Sequence, residues 1–129
     1  MPAEDLVVDA SAVLALLQNE PFRNFDPERI IGARISTVNL CEVLSKLQTA
    51  GLSEVDADRA VSLLDLRLVD FDAAHAKTTA RLAPLTKAAG LSLGDRACLA
   101  TGKILNAAVV TADKAWSSVN VQAEVIFTR

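Results

Sequence analysis

The stretch that decides the fold is Leu6-Val7-Val8-Asp9-Ala10-Ser11-Ala12, near the start of the chain. Its apolar residues are typical of a buried strand, and an acid appears where that strand must end. The apolar run of residues 10–17 follows without a turn residue, so we expect the strand to lead directly into a helix. Because ligands of open parallel sheets bind beyond the carboxyl ends of the strands, Asp9 is expected at a functional site.

The composition indicates one α/β domain with an aliphatic interior. The chain has 129 residues, 51% of them hydrophobic, with one Trp and no Tyr. This length suits a single domain over residues 1–129, and apolar strands suit a sheet that is covered on both faces. Cys41 and Cys98 lie in predicted helices, where we expect buried thiols rather than a disulfide framework.

The charge balance limits the class of partner. With 13 basic and 16 acidic residues the net charge is −3, which excludes a cationic coat for nucleic acid but is compatible with a local basic rim. The start Met-Pro-Ala-Glu-Asp lacks the positive region of a signal peptide. The longest uncharged apolar run is far shorter than the ~20 residues that span a bilayer. We therefore expect a soluble cytoplasmic protein without membrane contact.

Apolar periodicity and capping residues predict alternating strands and helices along the rest of the chain. Thr37 is expected to cap a helix that runs to Ala50, with Gly51 as its C′ stop, and that buries a stripe made of Leu40, Cys41, Leu44 and Leu47. The other predicted elements are a short helix from Pro27 to about residue 33, a strand at 34–36, a helix from Ser53 to about residue 64, a strand at 66–71, a helix from Asp72 that ends by Gly90 with a kink or break at Pro84, a helix from Ser92 to Asn106, a strand at 107–111, a turn at 113–116 and a strand at 124–127. This alternation predicts a three-layer α/β domain.

Four acids are predicted to meet at one edge of the sheet. Asp9 and Asp113 each follow a strand, whereas Glu42 and Asp95 lie near the starts of two helices. Taken alone, Asp9 and Asp113 could be helix caps, Asp95 could stabilise a helix dipole, and Glu42 could be a solvated surface residue. In a parallel α/β domain, however, strand ends and helix starts share one edge, so we expect the four carboxylates together.

Such a cluster requires a cation. Two carboxylates about 5 Å apart repel by roughly 3 kcal/mol at an effective dielectric constant of ~20. Four of them would shift their pKa values or separate unless positive charge neutralised them. Oxygen ligands without histidine favour Mg²⁺ or Mn²⁺ over zinc, so the residue pattern predicts a divalent-metal site.

Four segments together resemble a known family. They are Val7-Val8-Asp9-Ala10-Ser11-Ala12, Ser36-Thr37-Val38-Asn39-Leu40-Cys41-Glu42-Val43, Leu91-Ser92-Leu93-Gly94-Asp95-Arg96-Ala97-Cys98-Leu99-Ala100 and Val110-Thr111-Ala112-Asp113-Lys114-Ala115-Trp116. In this order they resemble the PIN domain, and most of all the VapC toxins of type II toxin–antitoxin pairs. The resemblance covers nearly the whole chain, and the segment around Asp95 is its most specific part.

The resemblance implies a Mg²⁺- or Mn²⁺-dependent endoribonuclease with a parallel five-stranded sheet in the order 3-2-1-4-5. Its acids map to Asp9, Glu42, Asp95 and Asp113. We expect Asp9 and Asp95 to bind the metal directly, and Glu42 and Asp113 to act through water or a second ion.

Residues beside the acids are expected to have supporting roles. Ser11 and Thr111 match small hydroxyl positions beside the metal in the family, and either orient an acid or a water or simply begin a helix. Arg96 and Lys114 each follow an acid directly, and either bind substrate phosphates or balance charge.

The resemblance also implies a homodimer bound by a VapB-like antitoxin. Phe22 and Phe25 are apolar residues in a polar loop, and either form a groove for that antitoxin or pack into the domain's own core. His75 is the only histidine of the chain, which excludes a two-histidine mechanism, and we expect it at the surface.

Three other functions also place acids at strand ends. A receiver domain needs adjacent acids near the first strand and a phosphoacceptor after the third, where Asp70 is the only choice. A haloacid dehalogenase-type phosphatase needs a second aspartate where Ser11 stands. A catalytically inactive PIN-fold binding module would keep the fold without cleaving RNA.

Overall fold

The computed structural model describes residues 5–129 of the chain. Residues 1–4, which belong to the stretch that lacks a signal-peptide pattern, lie outside the described residues. None of the helices in residues 5–129 combines the length and the apolar character that a bilayer crossing requires. The regular elements are β1 (Val7–Val8), α1 (Ala10–Leu17), β2 (Arg34–Ser36), α2 (Thr37–Thr49), α3 (Glu54–Ser62), β3 (Arg67–Val69), α4 (Ala73–Thr86), α5 (Leu93–Leu105), β4 (Val109–Thr111) and β5 (Val125–Phe127), with 3-10 turns at Pro27–Ile30, Lys87–Ala89 and Lys114–Ser118.

The five strands form one sheet in the order β3-β2-β1-β4-β5. The central strand is β1, with Val7 opposite Arg34 on one side and opposite Val109 on the other. All four pairings are parallel, so the carboxyl ends of the strands lie at the same edge. The strand order implied by the resemblance is confirmed.

Hydrophobic cores cover both faces of the sheet. Because successive strand residues point to opposite faces, Val8 and Val110 belong to one core, and Val7 and Val109 belong to the other. Helices α1, α2 and α3 close the first core, whereas α4, α5 and the buried Trp116 close the second. The predicted three-layer α/β architecture is therefore confirmed.

Gly102 allows α5 to lie close to β4. The residue is buried, and a Cβ there would collide with the Val109 side chain and lie 3.0 Å from the Ala107 carbonyl oxygen. We expect Gly102→Ala to lower the free energy of unfolding by about 1–3 kcal/mol, because a filled core accommodates an extra methyl group only by shifting. Urea unfolding measures this change, with Lys103→Ala at the exposed neighbouring position as the control. An unchanged unfolding midpoint for Gly102→Ala would contradict the close-packing argument.

The helix α2 buries a different stripe from the predicted one. Cys41 is exposed, and Val43 is fully buried instead. Leu47 is buried as predicted, whereas Leu40 and Leu44 are only partly buried against the core. The prediction was wrong because the buried stripe of α2 includes the polar residue Asn39. A count of apolar positions does not detect a buried polar residue.

Three element boundaries also differ from the prediction. The cap of α2 is Ser36 rather than Thr37, since the Ser36 hydroxyl accepts from the Val38 backbone N. At the edge of the sheet, β3 is limited to three residues rather than spanning 66–71. Pro84 does not end α4, because the helix continues for two more residues to Thr86.

Two aromatic rings lie inside the domain. His75, predicted at the surface, is only 7% exposed and packs edge-on against Phe71 with ring centroids 6.2 Å apart. Phe25 is buried and stacks on Phe22, which is partly buried against the same core. The core explanation is therefore confirmed for Phe25, and this residue cannot form an exposed groove for an antitoxin.

Candidate active site

Asp9 is fixed at the end of β1 by hydrogen bonds to its carboxylate. Its Oδ1 accepts from the Ala12 backbone N at 2.9 Å, which makes Asp9 the N-cap of α1. Ser11 Oγ donates to the carboxylate at 2.9 Å, and Thr111 Oγ1 donates to Oδ2 at 2.6 Å. With 2% of its surface exposed, Asp9 is held in one orientation.

The two hydroxyl groups also connect Asp9 to the segment that follows β4. Ser11 Oγ accepts from the Ala112 backbone N at 2.9 Å, and Thr111 Oγ1 accepts from the Asp113 backbone N at 3.0 Å. Each hydroxyl can therefore donate to Asp9 while it accepts from this segment. In this arrangement Ser11 and Thr111 orient an acid, rather than only beginning a helix.

Asp95 and Asp113 are each held by a cap. Asp95 forms a capping box with Ser92: Asp95 Oδ2 accepts from the Ser92 backbone N at 2.9 Å, and Ser92 Oγ accepts from the Asp95 backbone N at 3.2 Å. Asp113 Oδ1 accepts from the Ala115 backbone N at 2.9 Å. These acids therefore cap helices and also lie at the common edge of the sheet. The two roles are compatible, because a cap places a carboxylate where a helix begins.

Glu42 is oriented by Asn39, a residue that sequence reasoning missed. Asn39 Nδ2 donates to Glu42 Oε1 at 2.9 Å and to the Gly94 carbonyl oxygen at 3.0 Å, which joins α2 to α5. Asn39 is 1% exposed. Because Gly94 has no Cβ, the Glu42 carboxylate lies directly against the start of α5. The available signal was an amide side chain three residues before Glu42, on the same face of the helix.

All four acids line one cleft of ≈ 180 Å³. The structure therefore brings together the four side chains that the sequence grouped. Within residues 5–129, however, no three acidic, histidine or cysteine side chains already surround one point as metal ligands. The complete lining is Asp9, Ala10, Ser11, Leu14, Glu42, Lys46, Asp95 and Asp113.

The sequence matches the model of a family described as PIN domain over residues 6–122, which is most of the chain. The chain belongs to the PIN domain family. A comparison with curated proteins finds no match.

Solved structures share this PIN fold at low sequence identity. VapBC2 from Rickettsia felis, bound to a DNA fragment from its promoter, has a TM-score of 0.75 at 13% identity, with 96% of this chain and 98% of that chain covered. DNA-bound VapBC from Salmonella typhimurium has a TM-score of 0.70 at 15% identity, with 96% and 98% covered. VapBC-5 from Mycobacterium tuberculosis has a TM-score of 0.60 at 20% identity, with 99% of each chain covered. At these identities the likeness shows the fold alone.

The strand order and the role of Ser11 in this PIN domain argue against two of the other functions. In a receiver sheet, with strand order 2-1-3-4-5, the third strand lies beside the first. Here β2 separates β3 from β1, so Asp70 follows the edge strand, away from Asp9. Ser11, where a dehalogenase-type phosphatase needs its second aspartate, donates to Asp9 instead.

The two basic residues singled out from the sequence do not line the cleft of the PIN domain. Arg96 Nη1 donates to the Thr79 carbonyl oxygen of α4 at 3.4 Å, so its side chain is directed toward a neighbouring helix. Lys114 is exposed, and it too is outside the cleft lining. Lys46, which sequence reasoning missed, is the basic side chain of the cleft. The signal for it was its position four residues after Glu42 on the same helix.

Within residues 5–129, the four acids of the cleft form no ion pair within 4.0 Å, although Lys46 lines the same cleft. Burial raises the pKa of the Asp9 carboxyl from 3.8 to about 6, although the hydrogen bonds from Thr111, Ala12 and Ser11 oppose the shift. The negative charge of Asp95 raises the Asp9 pKa further. A cation beside Asp9 would favour its ionised form.

Cys98 lies beneath these acids and does not extend the site. The side chain is fully buried. Burial raises the pKa of its thiol well above the ordinary value, and the charges of Asp9, Asp95 and Glu42 raise it further. Cys98 is therefore a packed, protonated thiol, in agreement with the sequence prediction.

Proposed function

We propose that this PIN domain is a divalent-metal-dependent endoribonuclease that acts as a VapC-type toxin of a type II toxin–antitoxin pair. The observation that carries the proposal is the gathering of four carboxylates in one cleft, with Asp9 buried at its base. The family match and the fold shared with VapBC structures support it. Hydrolysis of RNA phosphodiester bonds would inhibit translation and growth.

The donor set fits Mg²⁺ or Mn²⁺. The cleft offers carboxylate oxygens and no histidine in its lining, and such an all-oxygen donor set suits these two ions. We assign Asp9 and Asp95 as direct ligands. Glu42 and Asp113 would act through water or a second ion.

The chain's own residues fix the acids before substrate arrives. When bound, a divalent cation supplies a more acidic water and positive charge for the phosphoryl oxygens. Ser11 and Thr111 hold Asp9, and Asn39 holds Glu42. Such preorganisation reduces the rearrangement that the reaction itself requires.

Cleavage of total cellular RNA tests the nuclease. The purified protein should give discrete fragments with Mg²⁺ or Mn²⁺ and none in EDTA. Asp95→Asn should be inactive but folded, because asparagine keeps an oxygen that can accept from the Ser92 backbone N. Intact RNA from the wild-type protein in either metal would contradict the proposal and favour an inactive binding module.

A homodimer and a VapB-like antitoxin, acting in the cytoplasm, belong to the same proposal. The VapBC complexes among the similar structures support this class of partner. Light scattering of the free protein and copurification with a coexpressed antitoxin test the two assemblies. A monomer that retains no antitoxin would contradict both.

A further inference from the structure

Lys46 contributes the positive charge of an otherwise acidic cleft. It lines the same ≈ 180 Å³ space as the four acids and is the only basic residue of that lining. It lies on α2 four residues after Glu42, so the two side chains share one face of the helix.

The ammonium group of Lys46 is not engaged by a neighbour. Within residues 5–129, the side chain of Lys46 makes no hydrogen bond and no ion pair within 4.0 Å, although Glu42 stands at the spacing that favours one. Glu42 accepts from Asn39 instead. The exposed Lys46 side chain is therefore available to a ligand that enters the cleft.

An RNA strand that enters this cleft meets four carboxylates, and a phosphodiester is repelled by each of them. The basic residues that directly follow Asp95 and Asp113 do not line the cleft, since Arg96 donates to Thr79 on α4 and Lys114 lies outside the lining. Lysine suits the binding of one phosphate oxygen, because its ammonium is a compact charge on a flexible stem.

We propose that Lys46 binds a non-bridging phosphate oxygen of the single-stranded RNA held in the acid cleft. This inference rests on the proposed ribonuclease function and names a substrate-binding residue within it. We place this phosphate next to the scissile one, so its charge does not change during the reaction. Lys46 therefore acts on binding rather than on the chemical step.

RNA affinity and its salt dependence test the role of Lys46. A labelled RNA oligonucleotide is titrated against Asp95→Asn protein, with and without Lys46→Ala, by fluorescence anisotropy at several salt concentrations. We expect Lys46→Ala to weaken binding about 10-fold and to reduce the log–log salt slope by about 0.7, the value for one lost phosphate contact on a single strand. Lys46→Arg should restore most of the affinity. Lys103→Ala, which removes an exposed lysine outside the acid cleft, should leave Kd and slope unchanged.

Kinetics in the otherwise wild-type protein provide a second measurement. Lys46→Ala should raise KM about 10-fold and leave kcat within about twofold. Equal Kd and equal salt slope for Lys46→Ala and its parent would overturn the inference, as would a loss confined to kcat. Absence of cleavage by the wild-type protein would contradict the nuclease instead, and the anisotropy titration would still decide the role of Lys46.

Discussion

Asp9→Asn is expected to reduce RNA cleavage strongly and, in the metal-free protein above about pH 6, to increase stability. The variant keeps an oxygen that can accept from the Ala12 backbone N, so α1 retains its cap. It loses the charge of the most buried acid in the cleft. We expect cleavage to fall by about 10³-fold, which corresponds to several kcal/mol of lost metal-dependent charge stabilisation.

The gain in stability follows from the Asp9 pKa. The carboxyl has a pKa of about 6 in the folded protein against 3.8 as its ordinary value, so folding favours the protonated form. This contribution is fully present below pH 3.8 and is lost as pH rises through about 6. Above that pH the ionised Asp9 costs the metal-free protein up to about 3 kcal/mol, and asparagine does not incur this cost. The amide nitrogen of asparagine cannot accept the bond from Thr111, a loss that offsets part of the gain in stability at high pH.

Chemical unfolding in EDTA measures this effect between pH 4 and pH 8. The difference in unfolding free energy between Asp9→Asn and wild type should grow across the interval, and Mn²⁺ should reduce it by stabilising the wild type alone. Asp70→Asn, at an exposed position after the edge strand, serves as the control and should show no such trend. A pH-independent difference would contradict the raised pKa of Asp9.

The grouping of the acids was predictable because each one has a local reason to lie at the same edge. Asp9 follows a strand of buried valines, and Asp95 forms a capping box with Ser92. Parallel pairing then places strand ends and helix starts together, whatever the details of packing. The end of a strand and the cap of a helix both depend on residues that are close in sequence, so they can be predicted from the sequence alone.

Residues whose roles depend on tertiary packing were missed. Asn39 and Lys46 flank Glu42 at helical spacing, but only the position of α5 and the cleft shows what they contact. His75 was assigned to the surface because it is a single polar residue, and its identity does not reveal that it lies on the face of α4 that packs inward. Cys41 was assigned to the core because the predicted face of α2 and the face that is buried contain similar numbers of apolar residues. Counting apolar residues therefore does not distinguish the two faces.

Gly94 lies in close contact with Glu42 and leaves room for its carboxylate. Gly94 lies in the first turn of α5, and a Cβ there would collide with the Glu42 carboxylate. In Gly94→Ala the flexible Glu42 side chain must rotate away and lose its bond from Asn39. Stability should change little, because alanine favours the helix by up to about 1 kcal/mol over glycine and offsets the lost contact.

Activity should fall by about 10²-fold in Gly94→Ala, since a displacement near 1 Å of a positioned group has this order of effect. Cleavage kinetics and thermal unfolding of Gly94→Ala, Glu42→Gln and the double variant separate the causes. If the glycine acts through Glu42, the double variant should be no less active than Glu42→Gln alone. Full activity in Gly94→Ala would show that the position of Glu42 is not needed for cleavage. An additive loss in the double variant would mean that Gly94 acts on the site by another route, such as the approach of substrate to the start of α5.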